Sequence, residues 1–415
     1  MYSEPKDQKI NCPERGSAQL PRELEHFLGA DKNSHLRYEI GDDGIKIYPN
    51  IHSLSKVYVE VTTNCNLKCK TCLRNSWEDA ALMDMELQLF QKLMDDLKEF
   101  PYVNSVMFGG FGEPTHHKDI IQMIRMVKEQ GLLCEMVTNG TLLSEEFCDQ
   151  LIDAQMDRIY VSFDAVSKKV FQDLRVGTSQ DKVMGNLISL SRKIREKKSH
   201  LEIALNFVAG KHNIHELIKL PALAEQVGAK AVYVSNVLPY TEDMEQNLLY
   251  DNALFEDCYG RMLKLVLPRM DWNDTTIQAL YSAFKSTRNV WFMRNSTAVP
   301  TKSCRFIRER CTVIRPDGTV SPCMGLLHDY TTYLHGIERK ICQHTLGDIR
   351  QNSLKSIWDS QEYRAFRERV DQFEFSICYS CGGCHNLDSN EQDCFGNEFP
   401  TCGGCLWAQG VIQCP

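Results

Sequence analysis

Several features are missing from this 415-residue chain. No stretch approaches the ~18 uninterrupted apolar residues of a membrane helix, so the sequence offers no spanning segment. Met1 to Leu20 is polar and has no apolar leader, which fits a cytoplasmic protein. Positive charge is also short: 47 Lys and Arg face 55 Asp and Glu, for a formal net charge of −8. Proteins that bind nucleic acid electrostatically need a basic surface, so no nucleic acid is expected as a partner. What remains is a balanced composition, 43% apolar and 25% charged, able to bury a sizeable core. At ~150 residues per domain, the length suggests two or three domains.

Cysteine is abundant, with 18 residues unevenly placed. In a reducing compartment disulfides are disfavoured, and clustered thiols more often hold metal. Cys65, Cys69 and Cys72 form one group and Cys304, Cys311 and Cys323 a second. Cys378, Cys381, Cys384, Cys394, Cys402, Cys405 and Cys414 form a third. Cys12, Cys134, Cys148, Cys258 and Cys342 stand alone and read as ordinary packed thiols.

Residues 1–50 carry little pattern beyond a turn at Gly41-Asp42-Asp43-Gly44, within a possible strand pair over Leu36 to Tyr48. From Lys56, β-rich runs recur: Val57 to Val61, Val103 to Phe108, Leu132 to Val137, Arg158 to Phe163, Leu201 to Val208 and Ala231 to Val237. Stretches with helical spacing separate them, such as Leu87, Phe90, Met94 and Leu97. Such alternation predicts parallel strands with crossover helices, six units that make a partial (β/α)6 TIM barrel or an open sheet. Chemistry belongs on the loops after the strands. Tyr240 to Pro300 reads as mostly helical, with Leu254, Cys258, Met262 and Leu265 in helical register. Beyond Cys304, turns and cysteines dominate around one helix, Leu354 to Val370, and metal would supply part of the folding energy. The divisions expected are 1–50 (an extension), 51–240 (the barrel), 241–303 (a helical connector) and 304–415 (the cysteine-rich unit).

The first cysteine group follows a strand with the spacing C-x3-C-x2-C. Three thiolates can hold three irons of a [4Fe–4S] cube and leave the fourth open to a small molecule. The same spacing also suits one face of a helix, or part of a zinc site completed elsewhere. At the next strand's end comes Gly109-Gly110-Phe111-Gly112-Glu113-Pro114, where glycines allow close backbone approach and Glu113 offers a carboxylate to an ammonium group. The third strand ends in Thr138-Asn139-Gly140 and the fourth in Ser162-Phe163-Asp164, with Arg175 and Gly177 downstream. His116-His117 reads as the polar opening of a helix, and Lys193, Arg195, Lys197 and Lys198 as a solvated helix end.

With the GxGEP stretch, this triad resembles the radical S-adenosylmethionine (SAM) enzymes over roughly residues 55 to 240. The resemblance implies that the open iron chelates the methionine part of SAM. It implies Gly110, Gly112 and Glu113 near the amino group, with Asn139 on the following loop. Ser162 and Arg175 would lie near ribose or carboxylate, and Asn213, Val237 and Leu238 among the later contacts. It further implies reductive cleavage of SAM to a 5′-deoxyadenosyl radical, fed by a reductant protein such as ferredoxin or flavodoxin. Thr71 stands where the family usually carries an aromatic residue.

In the C-terminal region, Pro316-Asp317-Gly318 reads as a hairpin turn that brings Cys311 and Cys323 to one end. C-x2-C pairs serve zinc and iron–sulfur sites alike. The region resembles the SPASM (or twitch) extension of radical SAM enzymes, which binds two auxiliary [4Fe–4S] clusters. By that resemblance the first takes Cys304, Cys311, Cys323 and Cys405, and the second Cys378, Cys381, Cys402 and Cys414. Cys384 and Cys394 are additional candidate metal ligands. The tail Pro400-Thr401-Cys402-Gly403-Gly404-Cys405-Leu406-Trp407 and the SAM-binding half also resemble the maturases of tungsten-cofactor oxidoreductases. That implies action on the tungsten–pterin cofactor of an aldehyde ferredoxin oxidoreductase, or on its host protein. Two other functions compete: radical modification of a peptide or protein side chain, and a non-catalytic zinc or iron–sulfur scaffold. Asp317 and His385 carry no assigned proton-transfer role.

Overall fold

Short runs of β-branched and aromatic residues, each followed by an amphipathic helix, decide the architecture. The computed structural model describes residues 20–30, 36–41, 44–77, 81–250, 254–256, 263–265, 269–285, 290–292, 304–378 and 384–413. Six strands follow one another: β1 (Lys56–Val59), β2 (Ser105–Phe108), β3 (Leu133–Thr138), β4 (Arg158–Ser162), β5 (Glu202–Ala209) and β6 (Ala231–Asn236). Each pairs in parallel with the next, so spatial order equals chain order. Between β1 and β2 the register sets Val57 against Val106 and Val59 against Phe108. β2 is buried along its whole length, as a parallel strand covered on both faces must be.

The crossover helices bury the stripe that their spacing defines. Helix α1 (Leu87–Leu97) turns Phe90, Leu93, Met94 and Leu97 inward, and α2 (Ile120–Glu129) does so with Ile120, Met123, Ile124 and Val127. Each such side chain contributes roughly 1.5–3 kcal/mol relative to exposure. Helix α3 (Glu145–Asp153) starts at Ser144, whose side chain accepts from the Phe147 amide. Helix α5 (Gln180–Glu196), which follows α4 (Lys168–Leu174), starts likewise at Ser179. The basic run on α5 is not merely solvated: Lys193 and Lys197 pair with Asp149 at 2.7 and 3.0 Å.

The sheet extends past the six strands at both edges. β7 (Val290–Phe292) adds in parallel beside β6. On the other side β8 (Cys311–Ile314) runs parallel to β1, and β9 (Thr319–Ser321) and β12 (Gly347–Asp348) continue it antiparallel. The result is one mixed sheet of ten strands, β7-β6-β5-β4-β3-β2-β1-β8-β9-β12, and the cysteine-rich segment is thus hydrogen-bonded directly to the first strand. The Asp317-Gly318 turn forms as the sequence predicts: Gly318 adopts φ 85°, and the Asp317 carboxylate accepts from the Thr319 amide at 3.0 Å. A separate hairpin, β10 (Tyr330–Leu334) with β11 (Ile337–Ile341), packs beyond it.

Three expectations meet a different outcome or sharpen. The helical register through Leu254 and Leu265 does not make a helix there; short strands Leu254–Glu256 and Leu263–Leu265 pair antiparallel instead. Cys258 and Met262 lie outside the described residues, and the described helices in this connector are Glu242–Glu245 and Ile277–Lys285. Four apolar residues at helical spacing need a buried partner surface before the spacing decides anything. The single helix expected over Leu354 to Val370 is two, Leu354–Trp358 and Gln361–Gln372, because Ser360 caps the second through the Tyr363 amide. Near the start, strands Tyr38–Gly41 and Gly44–Ile47 form the expected small pair. Among the described residues no helix is long and apolar enough to cross a membrane.

Candidate active site

A cavity of about 490 Å³ opens at the C-terminal ends of β1 to β6. Its lining includes Cys65, Cys69, Cys72, Gly110, Gly112, Glu113, Asn139, Ser162, Arg175 and Leu238. These residues come from separate loops between Cys65 and Leu238, and the parallel topology gathers them at one mouth.

Glu113 is buried and occupied. Its Oε1 accepts from the Thr115 amide and hydroxyl and from Thr138 Oγ1 at 2.7 Å. Among the described residues its Oε2 accepts only from the Asn139 amide at 2.7 Å, so that oxygen keeps capacity for one further donor. Burial pushes the Glu113 carboxyl upward, opposed by these hydrogen bonds. Asn139 passes the connection on: its side-chain amide donates to Asn66 at 2.9 Å, within the cysteine loop.

The glycines earn their places by packing rather than by ligand approach. A Cβ on Gly112 would stand 1.9 Å from the Thr62 carbonyl oxygen, and one on Gly110 would stand 2.5 Å from Glu60 Cγ. Glycine lets the loop after β2 lie against the loop after β1, and this closeness fixes Glu113 beside the cysteines. Glu60, absent from the sequence-based candidates, holds this junction: Oε1 accepts from the Phe111 amide at 2.8 Å, and Oε2 pairs with His328 Nε2 at 2.7 Å. His328 is 268 positions away, so no local signal marks the pair.

On the opposite wall Arg175 is buried and forked onto Asp164, with Nε and Nη2 at 2.9 and 2.7 Å from Oδ2. Burial opposes its charge, but Asp164 and the neighbouring thiols hold its pKa above the ordinary value. Asn213 is wholly buried, and its side chain ties the backbone of Asp164, Val208 and Gly210, a structural role. His117 is also satisfied: Nε2 lies 2.9 Å from the Met85 carbonyl, and Nδ1 accepts from the Asp119 amide. Tyr240, another residue missed in sequence, hydrogen-bonds the Lys70 carbonyl and Asn75 across the cysteine loop.

A second, narrower cavity holds Cys304, Cys323, Cys402 and Cys405 in its wall. Cys311, expected with three of them, lies on β8 and is not among its lining residues, whereas Cys402 is. Cys378 is buried, Cys384 and Cys394 are exposed, and Cys381 and Cys414 lie outside the described residues. Trp407 and Leu238 border both cavities. The tail is fastened over the first: the Gln413 amide donates to Ser235 Oγ at 2.9 Å, and the Asn236 side chain donates to the Val411 carbonyl at 3.0 Å.

The donor chemistry suits iron–sulfur clusters. Cys65, Cys69 and Cys72 line the first cavity, and Cys304, Cys323, Cys402 and Cys405 line the second, so sulfur is the donor set at both. Burial pushes Cys69 up to about 11 and Cys304 up to about 12, so metal binding must expel protons from these thiols. Around the second cavity Nε and Nη2 of Arg339, Nε1 of Trp407 and Oγ1 of Thr401 are buried without partners among the described residues, groups that a sulfur-rich acceptor would satisfy. That cavity has a volume of about 30 Å³.

Residues 59–234 match the radical SAM superfamily, and residues 304–385 match the iron–sulfur cluster-binding SPASM domain. Those two domains imply [4Fe–4S] clusters and S-adenosylmethionine as cofactors. The chain is 32% identical over 368 residues to the tungsten-containing aldehyde ferredoxin oxidoreductase cofactor-modifying protein of Pyrococcus furiosus, covering 86% of this chain and 96% of that one. It is 27% identical to the PqqA peptide cyclase of Granulibacter bethesdensis, across 74% of this chain and 75% of that one. Among solved structures, Streptococcus suis SuiB bound to its precursor peptide SuiA shares the fold with a TM-score of 0.54 at 18% identity, over 80% of this chain and 70% of SuiB. The structure of anSMEcpe with bound AdoMet does so with 0.53 at 16%, over 86% and 96%.

Proposed function

The chain belongs to the radical SAM enzymes that carry a SPASM domain, and from that premise we propose that it matures the tungsten–pterin cofactor, or the host protein, of an aldehyde ferredoxin oxidoreductase. The observation that carries this reading is likeness to a tungsten-cofactor-modifying protein along 96% of that protein's length and 86% of this chain. In this reading the six strands act as a partial (β/α)6 barrel over 51–240, with 1–50 as extension, 241–303 as connector and 304–415 as the auxiliary-cluster unit.

Cys65, Cys69 and Cys72 would hold the cluster that binds SAM. Bound there, SAM supplies radical chemistry through one-electron reductive cleavage of its sulfonium. Glu113, in the wall of that cavity, would offer acceptor capacity at Oε2 to the amino group, held in place by Thr115, Thr138 and Asn139. Gly110 and Gly112 keep the loop against the cysteines, while Ser162, Arg175 and Leu238 form the far wall. Trp407, Ile412 and Gln413 cover the cavity and limit water, which a hydrogen-abstracting reaction requires. The electron comes from a reductant protein of the ferredoxin or flavodoxin kind in the cytoplasm.

Likeness to PqqA peptide cyclases over three quarters of the chain supports a second reading, modification of a peptide or protein side chain. The experiment has two stages. The anaerobically reconstituted chain, given SAM and a low-potential reductant, should release 5′-deoxyadenosine and methionine; none released would end both readings. Production of an aldehyde ferredoxin oxidoreductase with and without the chain should then give active enzyme only in its presence. Equal activity in both, with a mass shift on a peptide substrate, would replace maturation with the second reading.

A further inference from the structure

Buried cations usually bring their own carboxylate. Arg339 does not. It lies on β11, opposite Thr332, and only 8% of its surface is exposed. Its Nη1 donates to the Leu387 carbonyl at 3.1 Å, while Nε and Nη2 have no partner among the described residues. No Asp or Glu among the described residues pairs with it. It lines the cavity of Cys304, Cys323, Cys402 and Cys405, and its guanidinium lies near Cys378, from the neighbouring thiol group. A Cβ on Gly404 would lie 2.9 Å from Arg339 Cζ, so the Cys402-Gly403-Gly404-Cys405 turn packs directly on the guanidinium.

A guanidinium stripped of water and left without an anion is strongly unfavourable. Neutral thiols do not relieve that cost, whereas thiolate-bound iron–sulfur clusters are anionic and accept hydrogen bonds at sulfur. We propose that Arg339 is the shared counter-cation of the auxiliary clusters, donating to sulfur on the Cys402–Cys405 side and on the Cys378 side, and that it raises their reduction potential. This rests on the reading that the C-terminal thiols hold clusters. When an external low-potential reductant adds one electron to such a cluster, the extra negative charge is attracted to the fixed guanidinium. The reduced state gains more than the oxidised one. Arg339 is absent from the wall of the Cys65 cavity, so the SAM-binding cluster serves as an internal control.

The test is a redox titration, followed by electron paramagnetic resonance, on the full-length reconstituted chain, wild type against Arg339→Met and Arg339→Gln. Iron and sulfide are quantified in each. The expected result is unchanged iron, an auxiliary-cluster signal shifted to more negative potential in both variants, and an unmoved signal from the cluster that responds to SAM. Wild-type iron with wild-type potentials in both variants overturns the proposal. Loss of auxiliary iron in both variants also overturns it, because Arg339 would then serve assembly rather than potential; if only one variant loses iron, the other decides. A wild-type chain that takes up a single cluster fails the underlying reading instead.

Discussion

The two thiol-rich regions differ most in what their arginines do. Beside Cys65, Cys69 and Cys72, Arg175 is already neutralised by Asp164 at 2.7 Å, and the cavity is wide. Beside Cys304, Cys323, Cys402 and Cys405 the cavity is narrow, the surroundings are buried, and Arg339 pairs with no carboxylate among the described residues. A low-potential cluster that must drive electrons into a sulfonium gains nothing from a bare cation nearby. An electron-accepting auxiliary cluster does. The same residue type is thus silenced at one site and left active at the other, and burial alone does not separate them.

The largest effect comes from opening that contrast at its first side. Cys65→Ala should abolish SAM cleavage and remove about four of the roughly twelve irons that three cubes contain, leaving the C-terminal iron in place. Product assay with iron analysis checks this, and full SAM cleavage by the variant would sink the assignment. Next in size is Asp164→Asn, which frees Arg175 beside the first thiols. Leaving a buried ion without its partner costs about 3–5 kcal/mol. Chemical denaturation should show that loss, and in reconstituted protein the SAM-responsive cluster should move to less negative potential.

Much of the first region was legible in sequence because its ligands sit on loops that follow consecutive strands. Runs of β-branched and aromatic residues separated by helical spacing marked the strands, the strands gave the mouth, and residues from Cys65 to Leu238 line it. The glycines were legible as constrained, but for a different physical reason: the Glu60 side chain at Gly110 and the Thr62 backbone at Gly112, not the cavity, exclude a side chain. The second region was less readable. C-x2-C pairs announce metal without saying which thiols meet, and Cys402 rather than Cys311 lines the cavity with Cys304, Cys323 and Cys405. The parallel pairing of β8 with β1, and the Glu60–His328 contact beside it, depend on long-range topology that no local pattern encodes. The connector misled for the opposite reason: its helical spacing was real, but the short strands form where that face is not decisive.

A smaller effect should follow from cutting the link between the two regions. His328→Leu leaves Glu60 Oε2 buried without its donor while Oε1 still holds the Phe111 amide. An orphaned buried polar group costs about 1–3 kcal/mol. We expect a stability loss of that size and a raised KM for SAM, because the Gly110–Glu113 loop rests on Glu60. Unchanged KM with unchanged stability would show that the two regions fold and bind independently.

The smallest effect gives the two regions different responses to acid. His344 lies in the C-terminal region against the rings of Phe366 and Phe399, with centroids 5.7 and 5.1 Å away. Burial, aided by Arg369, lowers its pKa to about 4. The unfolded imidazole titrates near 6.5, so between about pH 4 and 6.5 the unfolded chain binds more protons than the folded one. Stability from this group is therefore complete above pH 6.5 and declines as the pH falls toward 4. Because the ring keeps some contact with solvent, the decline should be gentler than the shift alone implies. Hydrogen exchange at pH 5 and 7 should show faster opening around β11 and β12 at the lower pH. His344→Phe should remove most of that difference; an identical pH response in the variant would place the acid-sensitive group elsewhere.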